Sequence, residues 1–463
     1  MSAAAFPPGF LWGVATSSQQ IEGAVAEGGR GESIWDRYAS VPGNIRDGSD
    51  PRVACDHYHR WRDDVALMRD LGVNAYRFSV AWPRVLPAGL GAVNAAGLDF
   101  YDALVDGLLE AGIRPFVTLD HWDVPQALQD RGGWTSRDTV DAFTAYADAV
   151  SRRLGDRVRH WATHNEPWCI AHLGYETGAH APGHRSPAEA LAVSHHLLLS
   201  HGRAIEVLRR NAPGAAAGIV LLLSPVEPAS GSQADREAAR EFDGVFNRWY
   251  LDPLFRGAYP EDAVADRVRL GHLEGEMRRF VRPGDLACIA TPADFLGVNY
   301  YSRTVVKAGP DGRPLQVRHA PEHELTDMGW EVWPRGLRDI LVRVHREYAP
   351  AAIHVTENGG AFADPPGVTA PIADPRRVQF LLDHTRAMRD AIAEGVPLRG
   401  YFVWSLMDNF EWGEGVARRF GLFHVDYATQ RRTPRLSAHW YRDFIAHDAI
   451  EDDAPQHHTR RRP

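Results

Sequence analysis

Cysteine is scarce in this chain. Its 463 residues include three, Cys55, Cys169 and Cys288. An odd, scattered set excludes a disulfide framework, and no CxxC or Cys/His pair has metal-ligand spacing. The three read as free buried thiols in a reducing compartment. Long apolar runs are missing too. No stretch approaches the ~18 residues of a membrane helix. The opening MSAAAFPPGF has no charged segment and no long apolar segment of the signal-peptide kind. The expected location is cytoplasmic, with no membrane partner. Positive charge is not in excess: the formal net charge is −9. That balance argues against nucleic acid and suits a neutral small molecule. A phosphate loop is also absent. The Gly-rich pieces EGGRGES and GLGAVN lack dinucleotide spacing, so no nucleotide cofactor is expected. His195, His196 and His201 are not at the i, i+4 spacing of a helical metal pair, and no metal is expected.

Aromatic side chains are abundant: 14 Trp, 14 Tyr and 18 Phe. Many stand beside polar residues, as in His121-Trp122, Glu166-Pro167-Trp168 and Glu411-Trp412. Packing accounts for any single one of them. As a set, flat faces next to hydrogen-bonding groups fit sugar rings.

Short apolar runs at 10–16, 73–80, 113–119, 160–165, 215–223, 295–301, 351–357 and 400–406 read as strands. Helical periodicity marks 60–71, 95–110, 139–154, 188–209, 337–348 and 376–394, with Gly72, Gly112 and Gly155 as stops. Eight strands mostly alternating with helices, and no linker, predict a single α/β domain over 1–447: a (β/α)8 barrel. The chain exceeds the ~250-residue norm for that fold, so long βα loops are expected at 24–54, 168–186 and 303–334. The tail 448–463 reads as disordered.

Catalytic groups of such barrels sit at the C-terminal ends of strands. Two glutamates hold equivalent places there, Glu166 in THNEP and Glu357 in VTENG. Paired carboxylates across an aromatic, amide-rich pocket suit glycoside hydrolysis.

THNEP, VTENG, LGVNYY, DNFEWGEG and RRFGLFHVDY, with the opening FLWGVATSSQQIEGA, resemble the motifs of glycoside hydrolase family 1, the β-glucosidase family. The resemblance runs from about Pro7 to Ile445. It implies a retaining enzyme with Glu166 as acid/base and Glu357 as nucleophile. An ionised nucleophile needs donors and positive charge, which Arg77 and Tyr301 would supply. The acid must hold its proton, which an apolar wall or nearby negative charge favours. A retaining pair is expected ~5–5.5 Å apart. By the same resemblance Gln20, His121, Asn165, Glu411 and Trp412 would bind the first sugar. Trp404 would be its floor and Phe420 its inner wall. Trp122 and Asn299 would support it, and Trp330 would flank the leaving group. Trp168, Cys169 and Leu173 would shape the entrance.

Glu411 would repel a 6-phosphate, and an intact Glu166 favours O-glycosides over thioglucosides. The expected activity is therefore hydrolysis of cellobiose-like and aryl β-glucosides, a step in cellulose degradation. The alternatives are a β-galactosidase or β-fucosidase, a transglycosylating relative, or a non-catalytic sugar-binding homologue.

Three residues depart from the family pattern. Gln19 stands where an aromatic is usual, Asp120 likewise, and His164 where a large apolar residue is common. Asp120 either bonds to backbone or a nearby cation, or it acts by its charge on a catalytic glutamate or on aglycone preference. His164 faces either the pocket or the helices. Pro167 is expected to hold Glu166 in an extended backbone.

Overall fold

The computed structural model describes residues 6–273, 279–317, 323–365 and 370–447. The expected tail, 448–463, lies outside them.

Eight parallel strands close into a barrel: β1 Leu11–Ala15, β2 Ala75–Ser79, β3 Arg114–Asp120, β4 His160–Asn165, β5 Ala216–Leu222, β6 Phe295–Asn299, β7 Ile353–Asn358 and β8 Leu398–Trp404. Each pairs with the next in sequence, and β8 pairs with β1. All eight expected strands are present, with bounds that agree to within two residues. Their side chains are almost all buried, because helices cover the outside and side chains fill the inside. Leu11, Phe116, Ala162, Val220, Phe295 and Phe402 pack together as the barrel interior.

The helices α1 His57–Leu71, α2 Ala95–Glu110, α3 Asp138–Leu154, α4 Pro187–Asn211, α5 Trp249–Arg256, α6 Pro334–Tyr348, α7 Pro375–Ala393 and α8 Leu436–His447 follow the strands in turn. Gly72 caps α1 with φ +78°, a left-handed turn that glycine adopts without a Cβ clash. Gly155 ends α3 by a different route. Its φ is −69°, and a Cβ there would press into the carbonyl oxygens of Ser151 and Asn211. Close approach, not a left-handed turn, requires that glycine.

The long loops are not structureless. The first holds the helix Ile34–Ala39, capped reciprocally by Ser33 and Asp36. The second is the π-helix Cys169–Glu176. The third carries two short strands, Thr304–Ala308 and Pro314–Gln316, which add to Val226–Pro228 in a small sheet. All three lie at the C-terminal mouth of the barrel.

Candidate active site

Two strands change register where they reach that mouth. On β4, Ala162 pairs with Gly218 and Asn165 with Val220, so β4 carries one extra residue. On β7, Val355 pairs with Val298 and Glu357 with Asn299, again one extra. A bulge breaks strict alternation and re-aims the side chains beyond it. Alternation from inward-facing Ala162 would turn His164 inward. The bulge instead leaves His164 on the helix side, with its ring 4.4 Å from Phe143 of α3. It turns Asn165 and Glu166 into the mouth, where both line the pocket.

The turn at Glu166 corrects the sequence reading. Its φ is +51°, in the left-handed region rather than extended. The chain passes directly from β4 into the π-helix, and the Glu166 carbonyl accepts the amides of Cys169 and Ile170 at 2.9 and 3.3 Å. An extended residue would carry the chain past that turn. Such a conformation costs ~1–3 kcal/mol. The Glu166 amide is anchored to the Val220 carbonyl at 2.9 Å. Trp122 and Trp412, which also line the mouth, have φ of +78° and +48°.

The pocket is a cavity of about 900 Å³. His121, Trp122, Asn165, Glu166, Tyr301, Trp330, Glu357, Trp404, Glu411, Trp412 and Phe420 all line it, as do Trp168, Cys169 and Leu173 from the second loop. Gln20, Asn299 and Arg77 stand behind that wall. Asn299 Nδ2 donates to Glu166 Oε1 at 2.6 Å and to Asn165 Oδ1 at 2.9 Å. Arg77 Nη1 donates to Glu357 Oε1 at 2.5 Å, and its Nη2 to Asn165 Oδ1 at 2.7 Å. Arg77, Asn165 and Asn299 thus link the two glutamates. The other Glu357 oxygen accepts the Tyr301 hydroxyl at 2.5 Å. Gln20 Nε2 donates to the Phe410 carbonyl at 2.9 Å and reaches Glu411 Oε2 at 3.5 Å.

The two glutamates differ in surroundings. Both Glu357 oxygens are held by donors, one of them cationic. Glu166 has its pKa raised to about 7, first by burial and then by the charge of Glu357. Asn299, the Cys169 thiol (Sγ to Oε2, 3.1 Å) and Arg77 oppose that rise. Glu411 is raised to about 8, again by burial and then by Glu357 and Glu166. His121 is held neutral by burial and by Arg77. Its Nε2 accepts from Asn165 Nδ2 at 3.1 Å.

Aromatic faces complete the walls. Trp122 and Trp412 lie 4.5 Å apart, and the His121 ring runs nearly parallel to Trp404 at 5.9 Å. Trp330 packs against Tyr301 at 5.2 Å, on the outer side. The peptide bond between Trp404 and Ser405 is cis.

Sequence reasoning missed several wall residues. His180, Phe246, Thr304 and Met328 line the outer pocket. They come from inserted loops, where no strand-end rule places a side chain. Gln19 is explained by the first loop. It accepts Arg30 Nη2 and donates to Asp36 Oδ1, both at 2.8 Å, so it latches that loop to the barrel rim.

Comparison with known proteins agrees with this geometry. The family model of Glycosyl hydrolase family 1 matches residues 2–450. Beta-glucosidase A of Acetivibrio thermocellus is 45% identical over 97% of this chain and 100% of its own. A bifunctional beta-D-glucosidase/beta-D-fucosidase of Bifidobacterium breve is 44% identical over 95% of this chain and 98% of its own. The solved structure of a Thermotoga maritima beta-glucosidase in complex with glucoimidazole superposes with a TM-score of 0.91 at 44% identity, covering 96% of this chain and 100% of that one. The chain belongs to glycosyl hydrolase family 1.

Proposed function

We propose that this protein is a retaining β-glucosidase, with Glu357 as nucleophile and Glu166 as acid/base. One observation carries the division of labour. Glu357 is gripped by Arg77 and Tyr301, whereas Glu166, buried opposite it, is raised to about 7. A Glu357 oxygen attacks the anomeric carbon while the aglycone oxygen leaves with the Glu166 proton. A glycosyl ester forms and the Glu357 charge disappears. The charge that raised Glu166 is then gone, so its pKa falls and it can take a proton from water. That water attacks the anomeric carbon, releasing β-glucose and the Glu357 carboxylate.

Asn165 suits the sugar 2-hydroxyl. Its Oδ1 is occupied by Arg77 and Asn299, and its Nδ2 keeps one N–H beyond His121. Trp404 would floor the sugar, with Glu411, Trp412 and His121 around its rim and Gln20 holding Glu411 from behind. Trp330 and Trp168 suit an apolar or sugar aglycone.

The β-glucosidase names of the relatives favour glucose, and the name of the bifunctional relative adds β-fucosides. No helix among the described residues is long and apolar enough to cross a membrane. Three free thiols support a cytoplasmic setting.

The test compares p-nitrophenyl β-glucoside, β-galactoside and β-fucoside with wild type and Glu357→Ala. Hydrolysis with glucoside preferred, and loss of ~10⁴-fold or more in the variant, is expected. No hydrolysis by the wild type would mean a sugar-binding homologue. Full activity in Glu357→Ala would overturn the nucleophile.

A further inference from the structure

Asp120 and His164 depart from the pattern the rest of the chain follows, and the structure pairs them. They face each other across β3 and β4, and both side chains are fully buried. His164 Nδ1 lies 2.9 Å from Asp120 Oδ2, and its Nε2 lies 2.8 Å from Ser200 Oγ of α4. The ring is sandwiched against Phe143 and edged by Trp134 at 5.5 Å. The second Asp120 oxygen accepts the Trp122 amide at 3.1 Å. The Trp122 indole Nε1 in turn donates to the Asn165 carbonyl at 2.8 Å. Asn165 follows His164 directly. Three hydrogen bonds and the backbone therefore close a ring from the end of β3 to the end of β4. The last member of that ring before Glu166 is Asn165.

We propose that Asp120 and His164 are positioning residues for the acid. They fix the β4 bulge from behind, and through Trp122 they fix the carbonyl of the residue before Glu166. Neither lines the pocket, so neither touches substrate. This rests on the reading of Glu166 as acid/base. Two observations favour positioning over a direct charge effect. Asp120 points at the helices through His164, and its charge helps raise Asp123, whereas Glu166 is raised by burial and Glu357. An apolar residue at 164 would leave Asp120 Oδ2 buried without its donor, so the two departures make sense only together.

Misplacing an acid slows the departure of a leaving group that needs its proton and spares one that does not. The experiment measures kcat/KM on cellobiose and on 2,4-dinitrophenyl β-glucoside, whose leaving group departs unprotonated. His164→Phe keeps the ring stack, and Asp120→Ala removes both contacts. Each is expected to lose ~10–100-fold on cellobiose and less than ~3-fold on the dinitrophenyl glucoside. Asp120→Asn keeps an acceptor for Trp122 and a partner for His164, and is expected within ~3-fold of wild type on both. Equal losses on both substrates in folded variants, no loss at all, or a loss in Asp120→Asn as large as in Asp120→Ala would overturn the proposal. If the first two variants do not fold, Ser200→Ala, which removes the partner of His164 Nε2 and lies outside the pocket lining, is expected to lose more on cellobiose than on the dinitrophenyl glucoside. Glu166→Ala separates the two ideas. If it also loses both substrates equally, the acid reading has failed. If it spares the dinitrophenyl substrate while the ring variants do not, only the positioning has failed.

Discussion

At the residue scale, the proposed acid is set by a balance around one carboxyl. Burial and Glu357 push Glu166 up, and donors on each of its oxygens pull it down. Cys169→Ala removes one donor to the charged form, so the pKa of Glu166 rises further. The alkaline limb of kcat/KM, expected near pH 7 for the wild type, should move upward in that variant. A limb that stayed or moved down would contradict the role of the thiol. That Glu166 and Glu357 would meet in one pocket was legible in the sequence, because each stands at a strand end beside an asparagine. Gln20 and Asn299 were named as site residues from resemblance, but their depth behind the wall was not legible. Which side of a strand end is lined and which is buried depends on neighbouring strands that a single sequence does not juxtapose.

At the element scale, the bulges on β4 and β7 do what a regular strand cannot. They place consecutive residues, Asn165 with Glu166 and Thr356 with Glu357, on the same side of the ladder. The eight strands were readable from apolar runs. The bulges were not, because an extra residue shows only against a partner strand's register. The left-handed Glu166 was misread for a related reason: a proline restricts its predecessor, but the tertiary anchor at Val220 overrides that preference. The glycine after VTEN marks how tight the mouth is. A Cβ on Gly359 would press into the carbonyl oxygen of Trp404, a backbone atom with nowhere to move. Gly359→Ala should destabilise by ~1–3 kcal/mol and lower kcat/KM, since it separates the ends of β7 and β8. Thermal melting and kinetics check this together. A variant with wild-type melting and rate would show that the two ends are not in tight contact.

At the scale of the whole molecule, the barrel buries titratable groups in two opposing sets. Burial lowers His195 and His384 to about 4 and His201 and His354 to about 3, with His121 also well below its ordinary value. Each binds a proton more readily unfolded, so its contribution to stability is present above pH ~6.5 and is lost as pH falls toward 4. Glu166, Asp123 and Glu411 are raised to about 7, 8 and 8. Their contribution is present at low pH and declines as pH rises toward 8. The histidines outnumber the acids, so the melting temperature should rise from pH 4.5 to about 6.5 and then decline gently toward 8. A melting temperature flat across pH 4.5–6.5 would contradict the buried neutral histidines. The barrel itself was readable from alternation, as was its oversize for the fold. The inserted helix, π-helix and small sheet were not, because short segments in a Gly- and Pro-rich loop carry no periodicity long enough to read.

The central claim is a covalent intermediate on Glu357, and one measurement addresses it directly. The enzyme is incubated with 2,4-dinitrophenyl 2-deoxy-2-fluoro-β-glucoside, whose fluorine slows both displacements while its activated leaving group keeps the first one fast. Intact mass and peptide mapping then locate the label. The account predicts one fluoroglucosyl group per chain, on the peptide carrying Glu357, with activity lost in step. A label on another residue, or inactivation without any label, would contradict it.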